Sequence, residues 1–234
     1  MTMTRRERPT VPHVEVGPAL RRRRRVVGGT LLAGAALLSR SLSTRPGSRQ
    51  FYGLTLSVAA SWLAGGLASG PLHLGWSAEK AGVRRRPVAG PVLIGVAAFG
   101  AFYGCARVAR HVPLLNTAIA DVLSYAHRGS TTNVAFTTLV NGAAEEVFFR
   151  GALYAALNGD RPVLLSTAAY AAVTCATRNP ALVLASAVMG VLFAEQRRAT
   201  GGVQAPMLTH LTWSLLMLLL LPPLFPPASA DQAR

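Results

Sequence analysis

Long apolar stretches, separated by short runs of charge, constrain the fold of this chain more than any other feature. Of its 234 residues, 51% are apolar and only 14% are charged, whereas a typical soluble domain has about 25% charged residues. A disordered chain would have fewer apolar and more charged residues. A small disulfide-rich secreted domain would need more than the two Cys present here. The pattern predicts an all-α, polytopic membrane protein.

The apolar stretches predict a bundle of about eight helices. In chain order they cover residues 26–39, 51–69, 87–106, 111–125, 132–157, 162–177, 180–194 and 202–221. Several are shorter than the roughly 20 residues that cross a bilayer, which suits a bundle whose inner helices do not face lipid along their whole length. Residues 26–131 are predicted to form N-terminal membrane helices, 132–225 the functional core, and 226–234 a disordered tail.

The N-terminal segment is strongly basic. Residues 1–25 contain eight Arg and two Glu, within a chain of net charge +15. Arg clusters attract nucleic-acid phosphates, but an apolar stretch begins at Val26, which favours a disordered cytoplasmic tail that orients the first membrane helix. Anionic lipid at the cytoplasmic surface would also attract this segment. We expect membrane lipids as partners and no nucleic acid.

The remaining basic loops give a mixed indication of topology. Lys80 and Arg84–Arg86 lie between apolar stretches and predict a second cytoplasmic loop, in agreement with a cytoplasmic N-terminus. The loop with Arg40, Arg45 and Arg49 would then face the other side of the membrane. A re-entrant or interfacial first segment would remove that conflict. The chain is predicted to be a multi-pass protein of the plasma membrane.

Two adjacent carboxylates lie within the apolar stretch 132–157. Charges at such positions are costly and indicate function. In a helix, Glu146 and Arg150 are four residues apart and share a face, so they can neutralise each other. Glu145 is turned by about 100° from Glu146 and must face a polar cavity or another partner, where it could act as a general base on water. The alternative is a buried Glu–Arg pair that fixes helix packing.

A histidine occurs early in the last apolar stretch. His210 is followed by Ser214 one helical turn later, on the same face. A lone His on an apolar helix is more often a packing residue than a functional one, and the neighbouring Thr209 and Thr212 could satisfy its hydrogen bonds.

Together these segments resemble the CPBP intramembrane proteases, the group of the type II CAAX-prenyl proteases and the abortive-infection proteins. Glu145-Glu146-x-x-x-Arg150, followed by Gly151, resembles the family's first motif, and His210 with Ser214 resembles its third, His-x-x-x-Asn. The resemblance spans roughly residues 132–221. It implies an intramembrane endopeptidase that hydrolyses a peptide bond at or near the membrane, with a catalytic cavity in the C-terminal half.

The resemblance also implies a role for each matched residue. Glu145 would activate the attacking water, Glu146 would assist it, and Arg150 would hold Glu146. His210 would polarise the carbonyl or protonate the leaving amine, and Ser214 would orient His210 or the substrate. The substrate would be a peptide or protein, and nothing in the sequence requires it to be prenylated.

The family's second motif, Phe-x-x-x-His, is incomplete. Tyr170 aligns with the Phe, and Thr174 stands where the second His would be. A zinc site of two His and one Glu therefore cannot be assembled from the matched positions, and Cys175 is one residue away as a possible soft ligand. Metal-dependent and metal-free chemistry both stay open, with Thr174 as a weaker hydrogen-bond donor in the second case.

Two other functions remain as alternatives. A catalytically weakened family member could keep the fold and act as a membrane binding scaffold, which the missing second His suggests. A small transporter or channel could use the Glu pair as a proton or cation site, although no broken-helix repeats are evident. Outside this region, residues 195–202 are expected to form an exposed turn between the last two helices.

Overall fold

The structure is a computed structural model that describes residues 17–78, 84–157, 159 and 161–226. Its main elements are α1 (Pro18–Ser41), α2 (Arg49–Ser69), β1 (Ser77–Ala78), β2 (Arg84–Arg85), α3 (Ala89–Ala109), α4 (Pro113–Arg128), α5 (Thr131–Glu146), a π-helix (Val147–Leu153), α6 (Tyr154–Ala156), α7 (Pro162–Thr174), α8 (Pro180–Thr200) and α9 (Gln204–Leu220). The strands β1 and β2 pair antiparallel. Because α5, the π-helix and α6 form one continuous helix, the described residues contain eight long helices.

Local sequence signals set the ends of these helices. Proline occupies the first position of α1, α4, α7 and α8, where its missing N–H is not needed for a helical hydrogen bond. The side chains of Ser48 and Asn179 cap α2 and α8 by accepting hydrogen bonds from the backbone N–H groups of Phe51 and Leu182. Gly201 ends α8 in the left-handed conformation, with φ of 73°. These signals explain why the helical boundaries follow the sequence pattern closely.

Three of the helices are long and apolar enough to cross a membrane. They are α2, α3 and α8, with 21 residues each. On α3 only 11% of the apolar window is buried inside the protein, and Leu93, Val96 and Val108 expose their side chains. Apolar surface of this extent indicates a lipid-facing helix. The architecture is that of an all-α membrane helix bundle, as the sequence predicts.

The best-packed part of the bundle joins α1, α2 and the π-helix. Trp62 on α2 is 1% exposed, and its ring centroid lies 4.8 Å from that of Phe148 and 5.1 Å from that of Phe149. Gly34 on α1 faces the Trp62 ring so closely that a Cβ at this position would overlap the indole. The aromatic cluster therefore anchors the segment that immediately follows the two adjacent glutamates.

The end of the predicted basic tail is helical. Helix α1 begins at Pro18, so the Arg run is part of the helix, while residues 1–16 lie outside the described residues. Arg23 is buried and donates hydrogen bonds to Ser69 Oγ at 3.1 Å and to the Pro71 carbonyl at 3.2 Å. Arg24 donates to the Ala156 carbonyl at 3.1 Å. The prediction of a disordered segment is wrong for residues 18–25 because these contacts bind the run to the bundle.

The expected exposed turn at residues 195–202 is also wrong over most of its length. Helix α8 continues to Thr200, and Arg197 is only 7% exposed. Its Nε donates a 2.7 Å hydrogen bond to the carbonyl of Arg150 in the π-helix. A guanidinium can be buried in this way because its N–H groups find a backbone acceptor. Of the predicted C-terminal tail, residues 227–234 lie outside the described residues.

Candidate active site

A cavity of about 350 Å³ opens between the helices, and it holds most of the side chains that the sequence singles out. Its lining includes Glu145 from α5, Thr174 from α7, and His210 and Ser214 from α9. Helices α1, α2 and α4 also contribute to the walls, with Leu38, Phe51 and Leu123 among the lining residues. The carboxylate and the imidazole come from the C-terminal half of the chain, whereas the N-terminal helices complete the apolar walls.

Glu146 lies behind the cavity in a fully buried charged cluster. Its Oε1 lies 3.2 Å from Nη1 of Arg150 and 2.8 Å from Nδ1 of His210. Both Glu146 and Arg150 have 0% exposure. Arg150 also donates to the Gly190 carbonyl at 3.3 Å. The expected Glu146–Arg150 pair is present, and the structure adds a histidine to it that the sequence did not predict.

Aromatic rings enclose the Arg150 guanidinium. Its Cζ lies 4.7 Å from the ring centroid of Tyr170 and 5.0 Å from that of Phe193, distances at which a cation interacts favourably with an aromatic face. The ring of Phe193 also stacks on His210, with centroids 4.7 Å apart. Phe193 therefore contacts both of the side chains that bind Glu146.

The π-helix begins directly after Glu146 and includes Arg150. Turns of this type are rare and are frequently found at functional sites. Ser166 Oγ lies 3.4 Å from the Phe149 carbonyl, and Arg197 Nε lies 2.7 Å from the Arg150 carbonyl. Side chains from α7 and α8 thus supply hydrogen bonds to carbonyl groups in this turn.

Glu145 faces the cavity, as its rotation from Glu146 predicts. Its Oε1 accepts a hydrogen bond from the Asn141 side-chain amide at 2.9 Å, and its Oε2 accepts one from the Tyr170 hydroxyl at 2.7 Å. Each carboxylate oxygen has a second lone pair that can accept a further hydrogen bond. The carboxylate is thus held in place by two neutral donors and keeps the capacity to bind water.

The contact with Glu146 determines which nitrogen of His210 is available. Nδ1 is bound to the carboxylate, which leaves Nε2 directed elsewhere. A Cβ added at Gly142, which also lines the cavity, would lie 3.6 Å from Nε2. His210 is 6% exposed and does not face lipid. A His210 side chain directed at lipid would have been excluded from the site, and His210 is not oriented in this way.

Thr174 and Ser214 also line the cavity, but neither shows the contact that the resemblance implies. The hydroxyl of Thr174 donates to the backbone carbonyl of Tyr170 at 2.9 Å. This is a local helical hydrogen bond, so its proton is already used. Ser214 is buried one turn after His210, and among the described residues no hydrogen bond joins the two side chains. The role of Ser214 as an orienting group for His210 stays a prediction.

Sequence reasoning missed two residues at the site. Asn141 has no role in the sequence-based prediction, although it lies one helical turn before Glu145 and so shares its face. Tyr170 aligns with the aromatic residue of the second motif, which assigns no role to its hydroxyl. The Asn141–Glu145 hydrogen bond could have been predicted from the four-residue spacing within α5. The Tyr170–Glu145 hydrogen bond joins α7 to α5, and no local sequence pattern indicates it.

The described side chains do not fit the zinc site that the resemblance allows. No three His, Cys, Asp or Glu side chains within residues 17–78, 84–157, 159 and 161–226 are grouped closely enough to hold a metal ion. The Nδ1 atom of His210 is bound to Glu146, and the Cys175 side chain is exposed at the end of α7. A tetrahedral zinc site needs three protein ligands even when it is catalytic.

Comparison with known protein families finds a match within the C-terminal half of the chain. Residues 127–216 match the family model described as "Type II CAAX prenyl endopeptidase Rce1-like". The matched range contains all six residues that the sequence assigns to the site. Searches of curated proteins and of solved structures find no match to the chain. Over residues 127–216, the chain is therefore similar to the Rce1-like type II CAAX prenyl endopeptidases, which supports a membrane protease of the CPBP type.

Proposed function

We propose that the protein is an intramembrane endopeptidase in which Glu145 activates a water molecule for attack on a peptide bond. One observation supports this most directly: Glu145 and His210, from different helices, line the same cavity inside a membrane bundle. A carboxylate with free lone pairs can accept the proton of a water molecule as that water attacks a carbonyl carbon. The family assignment supports protease activity, and the assignment of Glu145 as the base is our proposal.

His210 is proposed to stabilise the charge that develops on the substrate oxygen. With Nδ1 bonded to the Glu146 carboxylate, Nε2 donates a hydrogen bond only when the imidazole ring is protonated. In the protonated ring both nitrogens donate, Nδ1 to the Glu146 carboxylate 2.8 Å away and Nε2 to the substrate oxygen. The same imidazolium could then protonate the leaving amine. In this account Glu146 orients His210, and Arg150 neutralises and positions Glu146.

The substrate is proposed to be a peptide segment at or near the membrane. The cavity walls away from Glu145 and His210 are mostly apolar and include Phe51, Val58 and Leu218. Such walls suit an apolar side chain or a lipidated tail. The chemistry needs no metal ion, because the described side chains supply a base and an electrophilic donor but no complete ligand set.

A non-catalytic scaffold is the second candidate. The observation that favours it is Thr174, whose hydroxyl is bound to the Tyr170 carbonyl and is not directed at a substrate. A binding protein would keep the buried Glu146–Arg150–His210 cluster for stability and would use the cavity to hold an apolar segment. Cleavage of a peptide by the purified protein separates this candidate from the protease.

The test is peptide cleavage by purified protein in detergent. A library of apolar and lipidated peptides would be incubated with the protein and with its Glu145→Ala and His210→Ala variants, and products identified by mass spectrometry. We expect specific cleavage products from the unaltered chain and none from either variant. Equal background in all three samples would contradict the proposal and favour the scaffold.

We further propose a cytoplasmic N-terminus in the plasma membrane. The start of α1 lies at the same end of the bundle as the loop after α2, because Arg23 contacts Ser69 and Pro71. That end also has the exposed Arg21 and Arg25, and an excess of basic residues favours the cytoplasmic side. A fluorescent protein fused to the N-terminus should be protected from external protease. Digestion in intact cells would contradict this orientation.

A further inference from the structure

We infer that Tyr170 is a catalytic residue whose hydroxyl holds Glu145 before attack and then donates its hydrogen bond to the oxyanion. This inference rests on the proposed function and extends it, since it assigns a second donor for the negative charge of the tetrahedral intermediate. It follows from the position of one phenol group relative to the base, together with the way in which the neighbouring Thr174 is bonded.

The Tyr170 hydroxyl lies at the centre of the site. It donates a 2.7 Å hydrogen bond to Oε2 of Glu145, and the residue lines the cavity. The ring is fixed on both sides, because its centroid lies 4.8 Å from that of Phe149 and 4.7 Å from Cζ of Arg150. A phenol ring held in this way keeps its oxygen beside Glu145, so only the O–H bond has to rotate for the hydroxyl to donate to a neighbouring oxyanion.

Thr174 is poorly placed to provide this second donor. A hydroxyl has a single proton, and the proton of Thr174 is used in the 2.9 Å hydrogen bond to the Tyr170 carbonyl. Donating to a substrate would break that bond. The Tyr170 hydroxyl, in contrast, donates to the Glu145 carboxylate. This carboxylate becomes neutral when it takes the water proton, so it is then a weaker hydrogen-bond acceptor.

The first half of the proposed step is the attack of water on the substrate carbonyl. The water oxygen forms a bond to the carbonyl carbon, the C=O π electron pair moves to the carbonyl oxygen, and the water proton moves to Glu145. The carboxylate becomes neutral at the moment when the oxyanion forms. Because hydrogen bonds to an ionised acceptor are roughly twice as strong as those between neutral groups, the Tyr170 hydroxyl then turns from Glu145 to the oxyanion.

The second half of the step returns each group to its starting state. The electron pair on the oxyanion re-forms the C=O bond, the C–N bond breaks, and the leaving nitrogen takes a proton. That proton comes directly from Glu145, or from protonated His210, which then takes the proton of Glu145 in its place. The carboxylate of Glu145 is ionised again once the transferred proton has left. The Tyr170 hydroxyl then has its original charged acceptor and returns to it.

Tyr170→Phe is the first test. The change removes one oxygen atom and keeps the ring that packs against Phe149 and Arg150. We expect kcat to fall by about 10²–10³-fold, the usual effect of losing one oxyanion donor, with KM and thermal stability in detergent nearly unchanged. The matched control is Tyr103→Phe on α3, away from the cavity, which should leave kcat unchanged. A kcat for Tyr170→Phe within threefold of the unaltered protein would overturn the inference.

A fluorinated tyrosine at position 170 separates catalysis from simple packing. Fluorine makes the phenol more acidic and leaves its size almost the same. If the hydroxyl donates to the oxyanion, the stronger donor should change kcat by at least about twofold, while KM and thermal stability stay the same. An unchanged kcat would overturn the catalytic role, because a residue that only packs against Glu145 would not respond to the acidity of its phenol.

Glu145→Gln, measured in parallel, separates failure of this inference from failure of the proposed function. If Glu145→Gln is inactive and Tyr170→Phe is fully active, only the role of Tyr170 is contradicted. If Glu145→Gln is as active as the unaltered protein, the proposed base is wrong, and the role of Tyr170 falls with it.

Discussion

His210 Nδ1 lies 2.8 Å from Glu146 Oε1, although the two residues are 64 positions apart in the chain. This contact joins α9 to the end of α5 and leaves Nε2 of the imidazole ring as the nitrogen available to the cavity. The second glutamate of the motif therefore has a specific task in our account. It orients the histidine, while the first glutamate acts on water.

Glu146→Gln should lower the reaction rate through His210. A neutral amide no longer accepts a charge-assisted hydrogen bond from Nδ1, so the imidazole ring is held less firmly toward the substrate oxygen. We expect kcat to fall by at least about 10²-fold, within the usual contribution of a positioned acid or base. Steady-state kinetics on a peptide found by library screening would measure it.

The control for this change is Glu195→Gln on α8. Glu195 forms an exposed pair with Arg198 at 2.6 Å, away from the cavity, and its loss should leave kcat unchanged. A Glu146→Gln protein that is folded and retains full kcat would show that His210 does not depend on Glu146.

Arg150→Met should destabilise the fold. The substitution leaves the buried Glu146 carboxylate, with 0% exposure, only its contact with His210. Removing one partner of a buried pair typically lowers the free energy of unfolding by about 3–5 kcal/mol, which is the upper limit here because His210 remains. Thermal unfolding in detergent would measure the loss. Arg198→Met is the matched control, because an exposed ion pair contributes little. Equal unfolding temperatures for the two variants would contradict the burial of the Glu146–Arg150 pair.

Thr174→His should compensate for the loss of the Tyr170 hydroxyl. In the double variant Tyr170→Phe/Thr174→His, a ring N–H donor at the cavity wall replaces the phenol, and the segment acquires the Phe-x-x-x-His pattern of the family. We expect kcat to rise at least about tenfold above that of Tyr170→Phe alone, since a new donor reaches the oxyanion. A folded double variant with no gain would indicate that position 174 does not face the reacting carbonyl.

Metal chelators should leave the activity unchanged. The proposed chemistry uses Glu145, His210 and Tyr170, and the described side chains include no group of three metal ligands. Cleavage rates measured before and after prolonged dialysis against a chelator should agree within error. Loss of activity on dialysis, followed by its recovery on addition of zinc alone, would contradict a metal-free mechanism.

Much of the fold could be predicted from the sequence because the local composition of a segment indicates whether it forms a membrane helix. The stretch 51–69 corresponds to α2, and prolines at 162 and 180 mark the first residues of α7 and α8. Helical rotation was enough to predict that Glu145 turns away from the Glu146–Arg150 pair. These features depend only on residues within a few turns of one another.

The remaining features depend on contacts between distant segments. Arg23 and Arg197 look like surface charges in the sequence, but both are buried because backbone carbonyls or hydroxyls of other elements accept their N–H groups. The Tyr170 hydroxyl contacts Glu145 only because α7 packs beside the end of α5. No periodicity or composition in a single chain reveals such pairings.

The central claim is that Glu145 is the base, and Glu145→Gln tests it most directly. The amide keeps the size of the side chain and one acceptor oxygen for Asn141 or Tyr170, but it cannot take a proton from water. The measurement is the rate of peptide cleavage by purified Glu145→Gln in detergent, beside the unaltered protein and Glu195→Gln. We predict a loss of at least about 10²-fold for Glu145→Gln alone, as expected for a missing general base. Cleavage by Glu145→Gln at the rate of the unaltered protein would contradict the account.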